Sequence, residues 1–315
     1  MGIVFLAFHM DPFPKEKLES GFSLDRLRSL LAVYEAGYIA KASGGDRTRA
    51  NQISRQISEL EAFFGVTLRS KEGRQAVLTP EGEKLALLTK EFYRTVQAYQ
   101  DEMEGLPGTM ELGAGSAIIE TLLIPKIKEL KKAADGAIIR LRNRRTGQIV
   151  EQLLSGDLDI GIIPGSQIAG KLESKPLGMV SFELFVPVAL SGGALPGNPM
   201  AAIEKFPYAS IDGSGEIRTA IQSEASAKGT ILRPELECSG YSMVASAIQG
   251  GDYCGILPNY YSSRFEEGEV TQIKLPGLKK LQRKYVAAWP QSSVRVKEKS
   301  LSGMVGFLKQ VFKEV

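Results

Sequence analysis

A single histidine, His9, in 315 residues leaves the body of the chain without the base that Ser-His-Asp or Cys-His catalysis requires. Cysteine is nearly as scarce: Cys238 and Cys254 stand in apolar or small-residue surroundings, with no CxxC spacing and no neighbouring histidine. They read as buried small hydrophobes of a reduced compartment, so no metal and no cofactor is expected. No apolar run approaches the roughly 18 residues needed to span a bilayer. The opening MGIVFLAFHM lacks a basic flank, and the DPFPKEKLES that follows is not a cleavage site. We expect a cytoplasmic protein, not membrane-bound, that carries an extension over residues 1–22. Net charge is only +3, so a nucleic-acid partner must be argued from where the charge lies. The remainder is ordinary for a globular protein, with 43% hydrophobic and 24% charged residues, and the length suits two domains.

Leu24, Leu27, Leu31 and Tyr34 recur at helical spacing between Ser23, an N-cap, and Gly37. A short second helix near Ile39–Ser43 is broken by Gly44-Gly45. A third, near Arg49 to Phe64, puts Ile53, Ile57, Leu60 and Phe64 on one face and leaves Asn51, Gln52, Ser54, Arg55 and Ser58 off it. Arg, Asn and Gln match the donors and acceptors of base edges in a major groove, and serines suit phosphates. Gly65 ends this helix. TLRSKEGRQAVLTPEGE then reads as two strands around Glu72-Gly73, with Arg69, Lys71 and Arg74 at the tip. Between Arg47 and Arg74 six basic residues stand against three acidic ones, which accounts for the small positive excess of the whole chain.

Three helices and a basic hairpin in this order, with AVYEAGYIAKASGGDRTRANQISRQISELEAFFGVTL followed by GRQAVLTPEGE, resemble the DNA-binding domain of LysR-type transcriptional regulators. The similarity runs from about Leu24 to Glu83, and its most specific parts are SRQISELE, the glycine after it and LTPEG. The resemblance implies that Asn51, Ser54 and Arg55 contact double-stranded DNA and that Arg74 sits in the wing near the backbone. Arg49, Gln52 and Lys71 complete the expected DNA-binding set. The chain departs from the family pattern at Asp46 and Thr48 in the turn, at Arg49-Ala50 where a Ser-Gln pair is usual, and at Arg69 where an aromatic is usual.

From Pro80, a favoured first-turn residue, to about Met103 no Gly or Pro follows Gly82, which predicts one long helix. Leu85, Phe92 and Tyr99 recur every seven residues, with Leu88 at the d position. This seam suggests a helix pair, and so a homodimer or homotetramer joined through Leu85, Leu88, Phe92 and Tyr99. GLPGT marks the boundary at residues 105–109.

From Thr109 short apolar runs alternate with helical segments (MELGAG, IIETLLIPKIKELKKA, AIIRLRN, GQIVEQLLSG, DLDIGIIP), which is an α/β pattern with a largely parallel sheet. Loops at the carboxyl ends of such strands bind ligands, and Ser116 lies in one, placed to offer a hydroxyl and free amides to an anionic group. LDIGIIP followed by SFELFVPVAL resembles the effector domain of the same family, a periplasmic-binding-protein-like fold of two lobes. The resemblance implies a cleft lined by Ser116, Thr146, Gly147, Ile163-Pro164, Gly213, Ser214 and Ser242. Arg218 is a further candidate to pair with an effector carboxylate.

The expected architecture is therefore α/β: a winged helix-turn-helix over residues 23–82, a linker and dimerisation helix over 83–108, and an effector-binding domain over 109–315. Its first lobe takes residues 109–186 and 287–315, its second 187–286. The expected function is DNA binding modulated by a small-molecule effector, an anionic one by the Ser116 argument, with no catalysis. Two alternatives stand beside it. An enzyme on the two-lobed fold would recruit Asp157, Asp159 or Thr146, and a DNA-binding protein without a ligand would ignore metabolites.

Overall fold

The computed structural model describes residues 22–73, 75–170, 172–195, 199–213, 216–227, 229, 232–275, 282–291 and 294–315. The extension with His9, and Arg74 and Ser214, expected in the wing and in the cleft, lie outside the described residues. The chain divides into two compact units, Met1–Met103 and Glu104–Val315.

In the first unit, α1 (Leu24–Ala36) starts where the Ser23 hydroxyl accepts from the Arg26 N–H, and it stops at Gly37, whose φ of 92° only glycine adopts readily. After α2 (Ile39–Ala42), the third helix α3 (Arg47–Phe64) begins two residues before the sequence expectation. The reason is local: the Asp46 carboxylate accepts from the Thr48 and Arg49 N–H groups at 2.7 and 3.1 Å and caps the helix there. Leu27, Leu30, Val33, Ile53, Ile57 and Leu60 form the core, each worth about 1.5–3 kcal/mol of burial. Phe64, expected on that core face, is 38% exposed and packs edge-on against Phe22 and Phe63 instead.

Strands β1 (Arg69–Glu72) and β2 (Gln75–Leu78) pair antiparallel, with Arg69 opposite Leu78 and Glu72 opposite Gln75. The chain then enters α4 (Pro80–Met103), whose first turn lies so close to the wing that a Cβ on Gly82 would sit 2.1 Å from the Leu68 carbonyl oxygen. Tyr93 of α4 donates its hydroxyl to the Leu24 carbonyl, so the long helix belongs to the same compact unit as the three-helix head.

The second unit holds two five-stranded sheets. The first is built from β3 (Thr109–Ala114), β4 (Ile138–Asn143) and β5 (Ile160–Pro164), with α5 (Ile127–Ala133) after β3 and α6 (Thr146–Leu154) after β4. Two further strands, β6 (Leu172–Val180) and the returning β12 (Arg283–Pro290), complete it in the order β4-β3-β5-β12-β6. The second sheet, in the order β11-β7-β10-β8-β9, comprises β7 (Phe182–Pro187), β8 (Tyr208–Ile211), β9 (Leu236–Cys238), β10 (Cys254–Pro258) and β11 (Val270–Lys274). Helices α9 (Glu216–Ala227) and α10 (Tyr241–Gln249) belong to it, after the shorter α7 (Val188–Ser191) and α8 (Pro199–Lys205). The C-terminal α11 (Val294–Val311) returns to the first lobe, where Gly303 approaches the Ala133 carbonyl so closely that a Cβ would be 2.1 Å away.

Two sequence expectations are corrected here. The sheets are mixed rather than largely parallel: β3 pairs parallel with β4 and β5, but β12 runs antiparallel to β5 and β6, and β7 antiparallel to β10 and β11. The lobe boundaries also shift. The chain leaves the first sheet after Val180 and crosses at Ser181, so Phe182–Pro187 belongs to the second lobe, while the return strand joins the first lobe from Arg283. In GMVSFELFVP only Ser181 marks the crossing, a signal too weak to show that one extended run serves two sheets. The crossover is held by Asn259, whose N–H donates to the Ser181 carbonyl at 2.9 Å and whose Oδ1 accepts from the Ser181 N–H at 3.2 Å.

Candidate functional site

Asp46 and the core face of α3 together decide what the helix shows to solvent. With Ile53, Ile57 and Leu60 turned inward, Thr48, Asn51, Gln52 and Arg55 fall at i, i+3, i+4 and i+7 on the exposed side, with Arg49 beside them. Arg49, Asn51 and Gln52 make no side-chain hydrogen bond among the described residues, so their donors and acceptors face solvent. Arg55 is 82% exposed, and its Nε donates to Glu59 at 3.0 Å. Glu59 also receives Arg26, and hydrogen bonds from Arg55 and Arg26 hold its carboxyl below the usual range.

Two residues of the expected interface sit differently. Arg69, placed by sequence at the wing tip, begins β1 and folds back onto α3. Ser54, expected to face DNA, is half-buried and accepts from that same guanidinium through its hydroxyl and, at 2.8 Å, its carbonyl. The wing departed from the aromatic usual at this position, and that departure was the available signal. Lys71 is exposed on β1.

In the second unit, the expected cleft residues come from both lobes. Ser116 opens a short helical turn after β3, and Thr146 and Gly147 open α6 after β4. Pro164 is buried at the end of β5, opposite Tyr285. Gly213 follows β8 with a φ of 84°. Ser242 lies in the first turn of α10, where its hydroxyl donates to the Glu120 carboxylate and lies 3.2 Å from the Tyr261 hydroxyl. Glu120 belongs to the first lobe and Ser242 to the second, so this contact ties the lobes together; sequence reasoning missed Glu120 because one exposed glutamate in a helical run carries no signal. Burial raises the Tyr261 hydroxyl's pKa. Arg218, the candidate partner for an effector carboxylate, is engaged by Glu237 of β9 at 2.6 Å. Asp159, a candidate for the enzyme alternative, is 2% exposed and structural: it accepts from the Glu111 N–H and from Lys297 Nζ, both at 2.8 Å.

Against known families, residues 24–83 match the bacterial regulatory helix-turn-helix protein, lysR family, and residues 103–312 match the LysR substrate binding domain. This chain belongs to the LysR family of transcriptional regulators. The regulator is 26% identical to a probable RuBisCO transcriptional regulator of Nostoc sp. over 244 residues, which cover 73% of this chain and 71% of the relative. It is 23% identical to the HTH-type transcriptional regulator HdfR of Yersinia enterocolitica, covering 85% of this chain and 90% of that one. Among solved structures, full-length LysG from Corynebacterium glutamicum with bound effector arginine shares the fold at a TM-score of 0.63 and 17% identity, over 92% of this chain and 99% of that one. A full-length OxyR from Pseudomonas aeruginosa shares it at a TM-score of 0.60 and 16% identity, over 91% and 94%. The regulator therefore couples an N-terminal helix-turn-helix to a C-terminal effector-binding domain, and none of its described helices is long and apolar enough to cross a membrane.

Proposed function

We propose that the regulator reads double-stranded DNA with Arg49, Asn51, Gln52 and Arg55 of α3, with Lys71 and the wing on the phosphates, and that it does so as a homodimer. The observation that carries the reading is the solvent-facing stripe of hydrogen-bonding side chains on a helix whose opposite face is fully packed. Dimerisation is supported by α4, where Leu88, Phe92, Val96, Tyr99 and Met103 are all 46% or more exposed along one stripe. A row of large apolar side chains at this spacing is a surface that a second helix covers. Leu85, in contrast, is half-buried against the head's own core.

The effector occupies the cleft near Ser116, Thr146, Gly147, Gly213 and Ser242, and an anionic group on it is met by the Ser116 and Thr146 hydroxyls, which make no side-chain hydrogen bond among the described residues. Its differential affinity for one lobe arrangement shifts the regulator between states. The likeness to the Nostoc and Yersinia transcriptional regulators, over 73% and 85% of this chain, supports a regulatory role for such a shift.

The test is footprinting on fragments that the full chain selects from a random duplex pool. Two protected half-sites about one helical turn apart, or a multiple of it, are expected of a symmetric dimer. A Leu88→Glu/Tyr99→Glu variant should give monomers by ultracentrifugation and lose the paired footprint. Selection of no common sequence by the wild type would overturn the DNA-reading assignment.

A further inference from the structure

Among the described residues of the DNA-binding head, Arg69 engages three residues of α3 through one side chain. Its guanidinium donates to the Ser54 carbonyl at 2.8 Å and to the Ser54 hydroxyl, and a second nitrogen donates to the Ser58 hydroxyl one turn further along α3. Glu61 completes the arrangement: its carboxylate lies 3.6 Å from Arg69 Nε and accepts from the Leu68 and Arg69 N–H groups at 3.0 and 3.3 Å. Arg69 and Glu61 side chains are 26% and 20% exposed, so the fork is largely withdrawn from solvent. One planar cation thus spans two turns of α3 from the first residue of β1.

From this geometry we infer that Arg69 is a positioning residue that clamps the wing to the recognition helix, and that Ser54 serves this clamp instead of touching DNA. The reading face then narrows to Arg49, Asn51, Gln52 and Arg55. The inference rests on the DNA-reading assignment proposed above. It follows from the chemistry of the fork. Arg presents rigid, coplanar donors to several acceptors at once, whereas a Lys ammonium offers one compact charge. A phosphate contact tolerates Lys, but a two-turn clamp does not.

Arg69→Lys, Arg69→Met and Ser54→Ala, each in the full chain, are titrated with a duplex selected by the wild type and with a scrambled duplex, across a salt series. For both Arg69 variants the clamp predicts an about tenfold loss of discrimination between the duplexes, the size of a disturbed base contact. The dependence of log K on log salt should stay unchanged for Arg69→Met, because no phosphate contact is lost with the charge. Ser54→Ala should bind the selected duplex within about twofold of wild type. Full discrimination by Arg69→Lys, joined to a shallower salt slope for Arg69→Met, would mean that Arg69 is a phosphate ligand and would overturn the inference. A further loss of about tenfold when Ser54→Ala is added to Arg69→Met, where the clamp is already gone, would place Ser54 on the DNA and overturn it too. Loss of selective binding in the Arg55→Ala control, with wild-type binding intact, keeps these outcomes separate from failure of the DNA-reading assignment.

Discussion

At the scale of single residues, exposed charges gain their meaning from what holds them. Arg55 reaches out of α3 but is restrained by Glu59, which also binds Arg26. Glu59→Gln leaves one positive charge more on this face, so the variant should bind scrambled DNA more tightly at low salt, with a smaller ratio between selected and scrambled duplexes. Fluorescence anisotropy on both duplexes measures this, and an unchanged ratio would contradict it. Glu111 offers a pH handle. Burial pushes its carboxyl up, but hydrogen bonds from Arg142 and Arg140 outweigh burial and hold it below the usual value of 4.5. A lowered native pKa stabilises the fold above the unfolded value and loses that contribution as pH falls through the native one. Glu111→Gln should therefore lower the melting temperature near neutral pH, by a shift equivalent to about 1 kcal/mol or less because both arginines are partly exposed, and the difference should shrink as pH falls below 4.5 and vanish only below the lowered native pKa. Residue roles of this kind were least legible in the sequence. Arg218 and Asp159 read as free chemistry until Glu237 and Lys297 were brought to them by strands and helices distant in the chain.

At the scale of elements, the sequence was most informative where periodicity and caps agree. Ser23, Gly37 and Gly65 mark helix ends because each satisfies or accommodates the terminal backbone, and the i, i+4, i+7 pattern of Ile53, Ile57 and Leu60 is the buried face as read. The start of α3 moved to Asp46 because an Asp cap two residues upstream competes with Thr48. On α4 the heptad reading found Leu88, Phe92 and Tyr99 but passed over Val96 and Met103, since a strict seven-residue count puts Thr95 where the exposed apolar stripe has Val96. Gly82, within the same helix, was legible only as a weak helix former. The structure makes it a contact point, and Gly82→Ala should cost about 1–3 kcal/mol in chemical denaturation because the Leu68 carbonyl must move. A neutral result would mean that the wing and α4 separate easily.

At the scale of the whole molecule, the α/β class followed from alternating strands and helices and the two lobes from the resemblance to the family's effector domain, while the identity of the crossing strands followed from neither. The run from Met179 to Pro187 has no Gly or Pro before its end, and pairing with β12 on one side and β10 on the other divides it at Ser181. The Ser242 hydroxyl of the second lobe donates to the Glu120 carboxylate of the first. Glu120→Ala should speed amide hydrogen exchange several-fold in residues 119–123 and 241–249 and leave residues 24–64 unchanged; equal protection in both proteins would show that the contact does not hold the lobes.

In the proposed reading, α3 meets DNA through a stripe in which Arg49 and Arg55 are exposed cations, with Arg55 midway along the helix. The most direct measurement is a titration of wild type and Arg55→Ala, both as full chains, against a selected duplex from low to moderate salt. Salt-sensitive, sequence-selective binding by the wild type is predicted, with a loss on the order of 10- to 100-fold for Arg55→Ala that is larger on selected than on scrambled DNA. Equal affinity of the two proteins for the selected duplex at every salt concentration would contradict the assignment.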